Sequence, residues 1–184
     1  MQKLSLVILL FSALLFGCLS SFSNQSNNEI SNNIEFNTYE NQLAKVSFKT
    51  PATWVQQPKL EFVALFNNLQ NAFLSVSVVP DATASDFDTI VTATYSNFQQ
   101  NSGLFNNKQQ NVTFANSQAV LITSDQRSIN STTNQEVIST SDLYIIKDVA
   151  NNRLLLVSFV VHKDSASEMN EIKAQFLNSF RILN

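Results

Sequence analysis

Glu136-Val-Ile-Ser-Thr-Ser-Asp-Leu-Tyr-Ile-Ile-Lys147 and Arg153-Leu-Leu-Leu-Val-Ser-Phe-Val-Val161, joined through Asn151-Asn152, form the stretch that decides the fold. Apolar runs of this length, rich in β-branched residues, read as strands. Asn tolerates the positive φ that a tight connection between antiparallel strands requires. Just upstream, Val112–Phe114 and Gln118–Thr123 flank Ala115-Asn116, which reads as a second tight hairpin. Between the two pairs, Asp125–Gln135 is too polar for a strand and is expected to form a mobile loop.

Outward from these strands lie two helices. Ser85-Asp86-Phe87-Asp88 has the pattern of a capping box, the Ser85 hydroxyl and Asp88 carboxylate meeting early backbone N–H groups. Behind it Phe87, Ile90, Val91, Thr94 and Phe98 recur at helical spacing, ending near Asn101–Gly103. Ser165 and Glu168 make a second such pair, followed by the apolar stripe Met169, Ile172, Phe176 and Phe180. Upstream of the first helix, Leu43, Val46 and Phe48 lead to Pro51. Lys59–Phe66 and Phe73–Val79 then read as two strands with a turn at Asn67–Asn71. The order strands, helix, strands, helix, with short connections late in the chain, predicts an α+β domain. It would be an antiparallel sheet of about six or seven strands with helices packed on it.

The N-terminus is of another kind. Lys3 precedes Leu4–Phe16, an apolar run interrupted by Ser5 and Ser12 and too short to span a bilayer, which takes about 20 apolar residues. Leu15-Phe16-Gly17-Cys18 resembles the lipobox of prokaryotic lipoproteins, although Phe16 stands where a smaller residue is usual. The expected organisation is a signal peptide over 1–17, a lipidated Cys18 opening a Ser/Asn-rich tether over 18–38, and a folded domain over 39–184. An uncleaved signal anchor is the alternative, and either places the domain outside the cytoplasm. The tether is too polar to offset its ordering entropy and, as a coil, would span on the order of 25 Å. Processing would remove Lys3 and shift the net charge from -3 to -4, with ten basic against fourteen acidic residues. That balance offers no electrostatic footprint for nucleic acid.

Val46-Ser-Phe48-Lys-Thr-Pro51-Ala-Thr-Trp54 and Phe176-Leu-Asn-Ser-Phe180-Arg-Ile182 resemble the opening strand and the closing helix and exit of the PsbP-like superfamily. The resemblance covers roughly residues 39–183. It implies the layered α+β fold and a role as a binding or assembly module. The superfamily includes an extrinsic photosystem II protein, a Ran-binding import factor and many prokaryotic lipoproteins. No metal-binding or photosystem-docking residue of the photosynthetic members carries over.

The search for chemistry yields few candidates. His162, the one histidine, would have to serve any Ser–His–Asp set, but at a strand end before Lys163-Asp164 it reads as structural. Asp81, Asp86 and Asp88 could form a carboxylate pair or cation site; a turn and helix N-terminus account for them more simply. Trp54 and Phe48, with Phe62 and Phe66, are candidates for a ligand pocket, against the plainer reading of aromatic core. Lys45, Lys49, Lys59 and Lys108 are scattered, and Gly103 is the sole glycine after Gly17, too few for a phosphate loop. Asn111-Val-Thr113 and Asn130-Ser-Thr132 match the glycosylation sequon. No cofactor or catalytic group is expected. The leading expectation is a non-enzymatic, lipid-anchored accessory module that binds a membrane or envelope protein. The alternatives are a small-ligand receptor with a pocket near Trp54 and a carboxylate hydrolase.

Overall fold

The computed structural model describes residues 34–58, 62–68, 72–129 and 134–183. The expected signal peptide, Cys18, the tether up to residue 33, Lys59 and the sequon at Asn130 lie outside the described residues. In chain order the elements are β1 (Phe36–Asn41), β2 (Val46–Pro51), β3 (Val55–Gln56), β4 (Ala64–Asn67), β5 (Ala72–Val78), α1 (Phe87–Gln100), β6 (Leu104–Phe114), β7 (Ser117–Ile129), β8 (Glu136–Asp148), β9 (Arg153–His162), α2 (Ala166–Ser179) and β10 (Arg181–Ile182). Seven strands form an antiparallel sheet in the order β3-β4-β5-β9-β8-β7-β6, and β1, β2 and β10 form a second sheet with β2 in the middle. The α+β architecture is the expected one, and the small second sheet is an addition to it.

Alternation along the strands sorts the large sheet into two faces. Leu155, Val157, Phe159 and Val161 of β9 face one way, with Tyr144 and Ile146 of β8 and Ala119 and Leu121 of β7. Over them lie the small sheet and α2, whose Met169, Ile172 and Phe176 are buried, followed by Phe180. On the opposite face Leu154, Leu156, Leu143, Ile145, Val120 and Ile122 pack under α1. The buried residues of α1 are Phe87, Ile90, Val91, Thr94 and Phe98, the stripe predicted from spacing. Each fully buried aliphatic or aromatic side chain here stabilises the fold by roughly 1.5–3 kcal/mol.

Four boundaries differ from expectation. The folded domain includes residues before Tyr39, because Ile34 and Phe36 pack on the core and Phe36 pairs with Pro51. The strand expected at Lys59–Phe66 runs Ala64–Asn67. The strand expected at Val112–Phe114 begins eight residues earlier, at Leu104. Asp125–Ile129, expected in a loop, continues β7 and pairs with β8, Asp125 opposite Thr140 and Ile129 opposite Glu136. Its polar side chains find cross-strand partners, among them an Arg127–Glu136 ion pair at 3.2 Å.

The turns rely on residues other than glycine. Ala115 and Asn116, at φ 48° and 62°, give the β6–β7 hairpin two positive-φ corners, and Asn152 at φ 47° does the same between β8 and β9. The capping box is displaced by two residues from the expected pair. Asp86 accepts the Thr83 N–H at 2.8 Å and its hydroxyl at 2.9 Å, holding a short 3-10 turn at Ala84–Asp86. Ser85 shares a hydrogen bond with the Thr83 hydroxyl, and Asp88 is an acidic residue in the first turn of α1. Ser165 stands at the N-cap of α2; the Glu168 side chain lies outside the described atoms.

Candidate functional site

Along β8 the face turned toward α2 reads Ile146, Tyr144, Asp142, Thr140, passing from apolar to polar as it leaves the core. On β9 the matching residues are Val157, Phe159 and Val161. Helix α2 starts over this polar end, one turn after β9 finishes. The result is a small cleft of about 90 Å³ between sheet and helix. Phe159, Val161, Ala166 and Met169 form its apolar part, and Thr140, Asp142, Asn170 and Lys173 its polar part.

Lys173 lies one helical turn after Met169 and reaches down to the Asp142 carboxylate, forming an ion pair at the cleft. Asp142 sits beside Tyr144, whose hydroxyl is pushed up to about 12 by burial first and by the nearby carboxylate second. A second polar cluster adjoins through Thr140. Asp125 accepts hydrogen bonds from Asn106 at 2.8 Å and Thr140 at 3.1 Å and faces Lys163 at 3.5 Å. Burial pushes the Asp125 carboxyl up, but these partners outweigh it and hold it below its ordinary value. This second cluster ties β6, β7, β8 and the 3-10 turn before α2 together, while Lys173 and Asp142 give the cleft both a cation and an anion.

The candidates from sequence fall in different places. Phe48 is 1% exposed and enclosed by Tyr39, Phe176, Phe180 and Phe66 at ring separations of 4.9, 5.2, 5.6 and 6.1 Å. That position is core, and Phe48 lines no part of the cleft. Trp54 is also buried, stacked on Phe159 at 6.1 Å, so it backs the cleft through a shared wall. Phe62 packs against a separate small cluster of Leu65, Phe73 and Val160.

His162 ends β9 opposite Ser139. Burial lowers its pKa, and Asp164 partly offsets that. Asp81 is an exposed turn residue at φ 56°, apart in role from Asp86 and Asp88 at the helix entry. Lys45 occupies a turn at φ 47°, while Lys49 and Lys108 are exposed on strands. Asn111 and Thr113 of the first sequon are exposed on β6. Among the described residues no group of three or more His, Cys, Asp or Glu could hold a metal ion. Asp142 and Lys173 were not singled out by sequence; nothing in their local context marks them, and only the fold brings them together across 31 residues.

No family model matches the chain, and no curated protein matches it. Solved structures do. The Ran-binding protein Mog1p of Saccharomyces cerevisiae superposes with a TM-score of 0.53 at 10% identity, over 83% of this chain and 97% of that one. LpqN of Mycobacterium tuberculosis, involved in cell envelope biogenesis, superposes at 0.54 with 8% identity, over 83% and 93%. Cyanobacterial PsbP from Synechocystis reaches 0.46 at 16% identity, over 86% and 98%. The layered α+β arrangement expected from the sequence is therefore the one observed, and at these identities the likeness to the yeast and mycobacterial structures is one of fold.

Proposed function

We propose that this protein is a membrane-anchored, extracytoplasmic accessory module that binds another protein of the envelope. The observation that carries the reading is how the charged groups are used. Asp142–Lys173, Asp148–Arg153 and Asp125–Lys163 each link neighbouring elements of the fold. Asp86 closes a turn, and Asp142, the carboxylate that lines the cleft, is held in its ion pair with Lys173. Two further supports are the fold shared with a Ran-binding protein and with an envelope-biogenesis protein. The apolar run ending at Gly17-Cys18 supplies the anchor. Fold likeness alone does not fix function, so the proposal rests on the conjunction.

The test is labelling with a fatty-acid analogue followed by in-cell crosslinking and mass spectrometry of the detergent-extracted protein. Label lost on Cys18→Ser and one stoichiometric envelope partner are the expected results. An unlabelled chain would overturn the anchor, and a labelled but solitary one would overturn the binding role.

The cleft beside Lys173 favours a second reading, a receptor for a small ligand with apolar and charged parts. Its size limits it to something no larger than a few heavy atoms unless α2 shifts. A ligand screen that raises the melting temperature of the full chain but not of Phe159→Ala would support this reading over the first.

A further inference from the structure

The two edges of the large sheet are unlike each other. At one end β3 is a two-residue strand, too short to template another. At the other, β6 is eleven residues long and, within the described residues, has β7 on one side and no strand on the other. Its first part is irregular: register shifts between Phe105 and Lys108, and Asn106 takes φ 55°. That part is also engaged by α1, Asn107 Nδ2 donating to the Phe98 carbonyl at 2.9 Å. From Lys108 to Phe114 the ladder with β7 is unbroken. This stretch, Lys108-Gln-Gln-Asn-Val-Thr-Phe114, contains no proline or glycine and one charge, at its end.

We propose that this edge pairs with the same edge of a second copy, antiparallel about a two-fold axis at Asn111. Of the self-pairing registers, only the one centred on Asn111 uses the whole regular segment. It sets Lys108 opposite Phe114, Gln109 opposite Thr113 and Gln110 opposite Val112. Each amide or hydroxyl on the exposed row, Gln109, Asn111 and Thr113, meets another group that both donates and accepts. Lys108 never faces its own copy, whereas a register centred on Lys108 would oppose like charges.

A two-fold axis perpendicular to the sheet also keeps equivalent faces together. Both copies then present β1 and β2, where the described chain begins, on the same side. That suits two chains tethered to one surface. The contact is seven residue pairs long, short of a standard interface, so dimerisation is weak in free solution and rises when copies share a membrane. A glycan on Asn111 would block it.

The test uses the full chain in detergent, with Cys18→Ser removing the only thiol. Single cysteines are placed by Gln109→Cys, Gln110→Cys, Asn111→Cys and Val112→Cys, with Val149→Cys, in an exposed turn, as the collision control. Under mild oxidation the Asn111→Cys chain should form disulfide dimer at least ten times faster than the control. The flanking positions should be slower than Asn111→Cys, since only the central residue faces itself. Asn111→Lys, introduced in the cysteine-free chain, should abolish concentration-dependent dimer in sedimentation without lowering the melting temperature. Crosslinking no faster than the control at all four positions would overturn the proposal. So would a maximum at a position other than 111, or a cysteine-free chain that sediments as monomer in detergent at every concentration.

Discussion

Arg153 and Asp148 face each other across the mouth of the β8–β9 hairpin, Nε standing 2.7 Å from the Asp148 carboxylate oxygen. The carboxylate side chain is 2% exposed and the guanidinium 13%. The same carboxylate accepts the Asn151 backbone N–H at 3.2 Å and its side-chain amide at 2.9 Å. One buried acid therefore holds both the ion pair and the turn.

Removing it leaves a buried guanidinium without its countercharge and a turn without its acceptor. Asp148→Ala should lose about 3 kcal/mol, the scale for breaking a buried pair from one side. In a chain of this size that lowers the melting temperature by roughly 6–12 °C. Asp148→Asn keeps an acceptor for the turn and should lose less. Urea unfolding of the two variants measures the difference.

Tyr144 makes alkaline unfolding the second prediction. Its pKa is raised to about 12 in the fold, above the ordinary 10, by burial first and Asp142 second. The folded chain thus resists losing a proton that the unfolded chain gives up. Stability is complete below about pH 10 and declines as pH rises toward 12. In a phenolate absorbance titration, one of the three tyrosines should ionise late, and Asp142→Asn should bring it earlier by part of the shift.

His162 works in the acid direction. Burial lowers its folded pKa below 6.5, with Asp164 offsetting part of this, so the folded state favours neutral imidazole. As pH falls through about 6.5 the unfolded chain takes up a proton that the folded chain resists. Stability therefore declines through that window. His162→Gln should flatten the slope between about pH 7 and 5 in melting curves. An unchanged slope would assign it to another group.

The β6–β7 hairpin offers a stabilising change. Ala115 holds φ 48°, a left-handed conformation that costs an ordinary L-residue about 1 kcal/mol or more. Ala115→Asn should recover roughly 0.5–1 kcal/mol, and adding Asn116→Gly completes the preferred turn pair. Raised denaturation midpoints with an unchanged slope are the expected result. A lowered midpoint would mean that Ala115, half-buried against the core, contributes packing that outweighs its backbone strain.

Elements with one buried and one wet face were legible in the sequence. Phe87, Ile90, Val91, Thr94 and Phe98 became the buried side of α1 residue for residue. The β8–β9 pair was legible because its strands lie at the centre of the sheet and carry long apolar runs. By contrast, Leu104–Asn111 and Asp125–Ile129 were read too short or as loop. Edge strands and strand ends meet water on both faces, so polar residues there leave no alternation to detect. The capping box moved because Thr83 with Asp86 and Ser85 with Asp88 fit the same four-residue pattern, and only the backbone chooses between them. The Asp142–Lys173 cleft had no local signal at all, since each residue looks like an ordinary surface charge.

The small sheet joins residues far apart in the chain. Its central strand takes β1 on one edge and Arg181–Ile182 on the other, and Phe180 stacks against Phe48. A growing polypeptide can therefore complete its early hairpin and α1 but not the shell around Phe48 until Ile182 has left the ribosome. From the end of α1 at Gln100 to Ile182, at translation speeds of ~5–20 residues per second, this delay is roughly 4–16 s. During that time an apolar half-domain is exposed and open to chaperone capture. The last strand acts as a clasp on the timing of folding, so shortening the chain by its final helix and strand should yield a trapped, aggregation-prone intermediate rather than a slightly weaker fold.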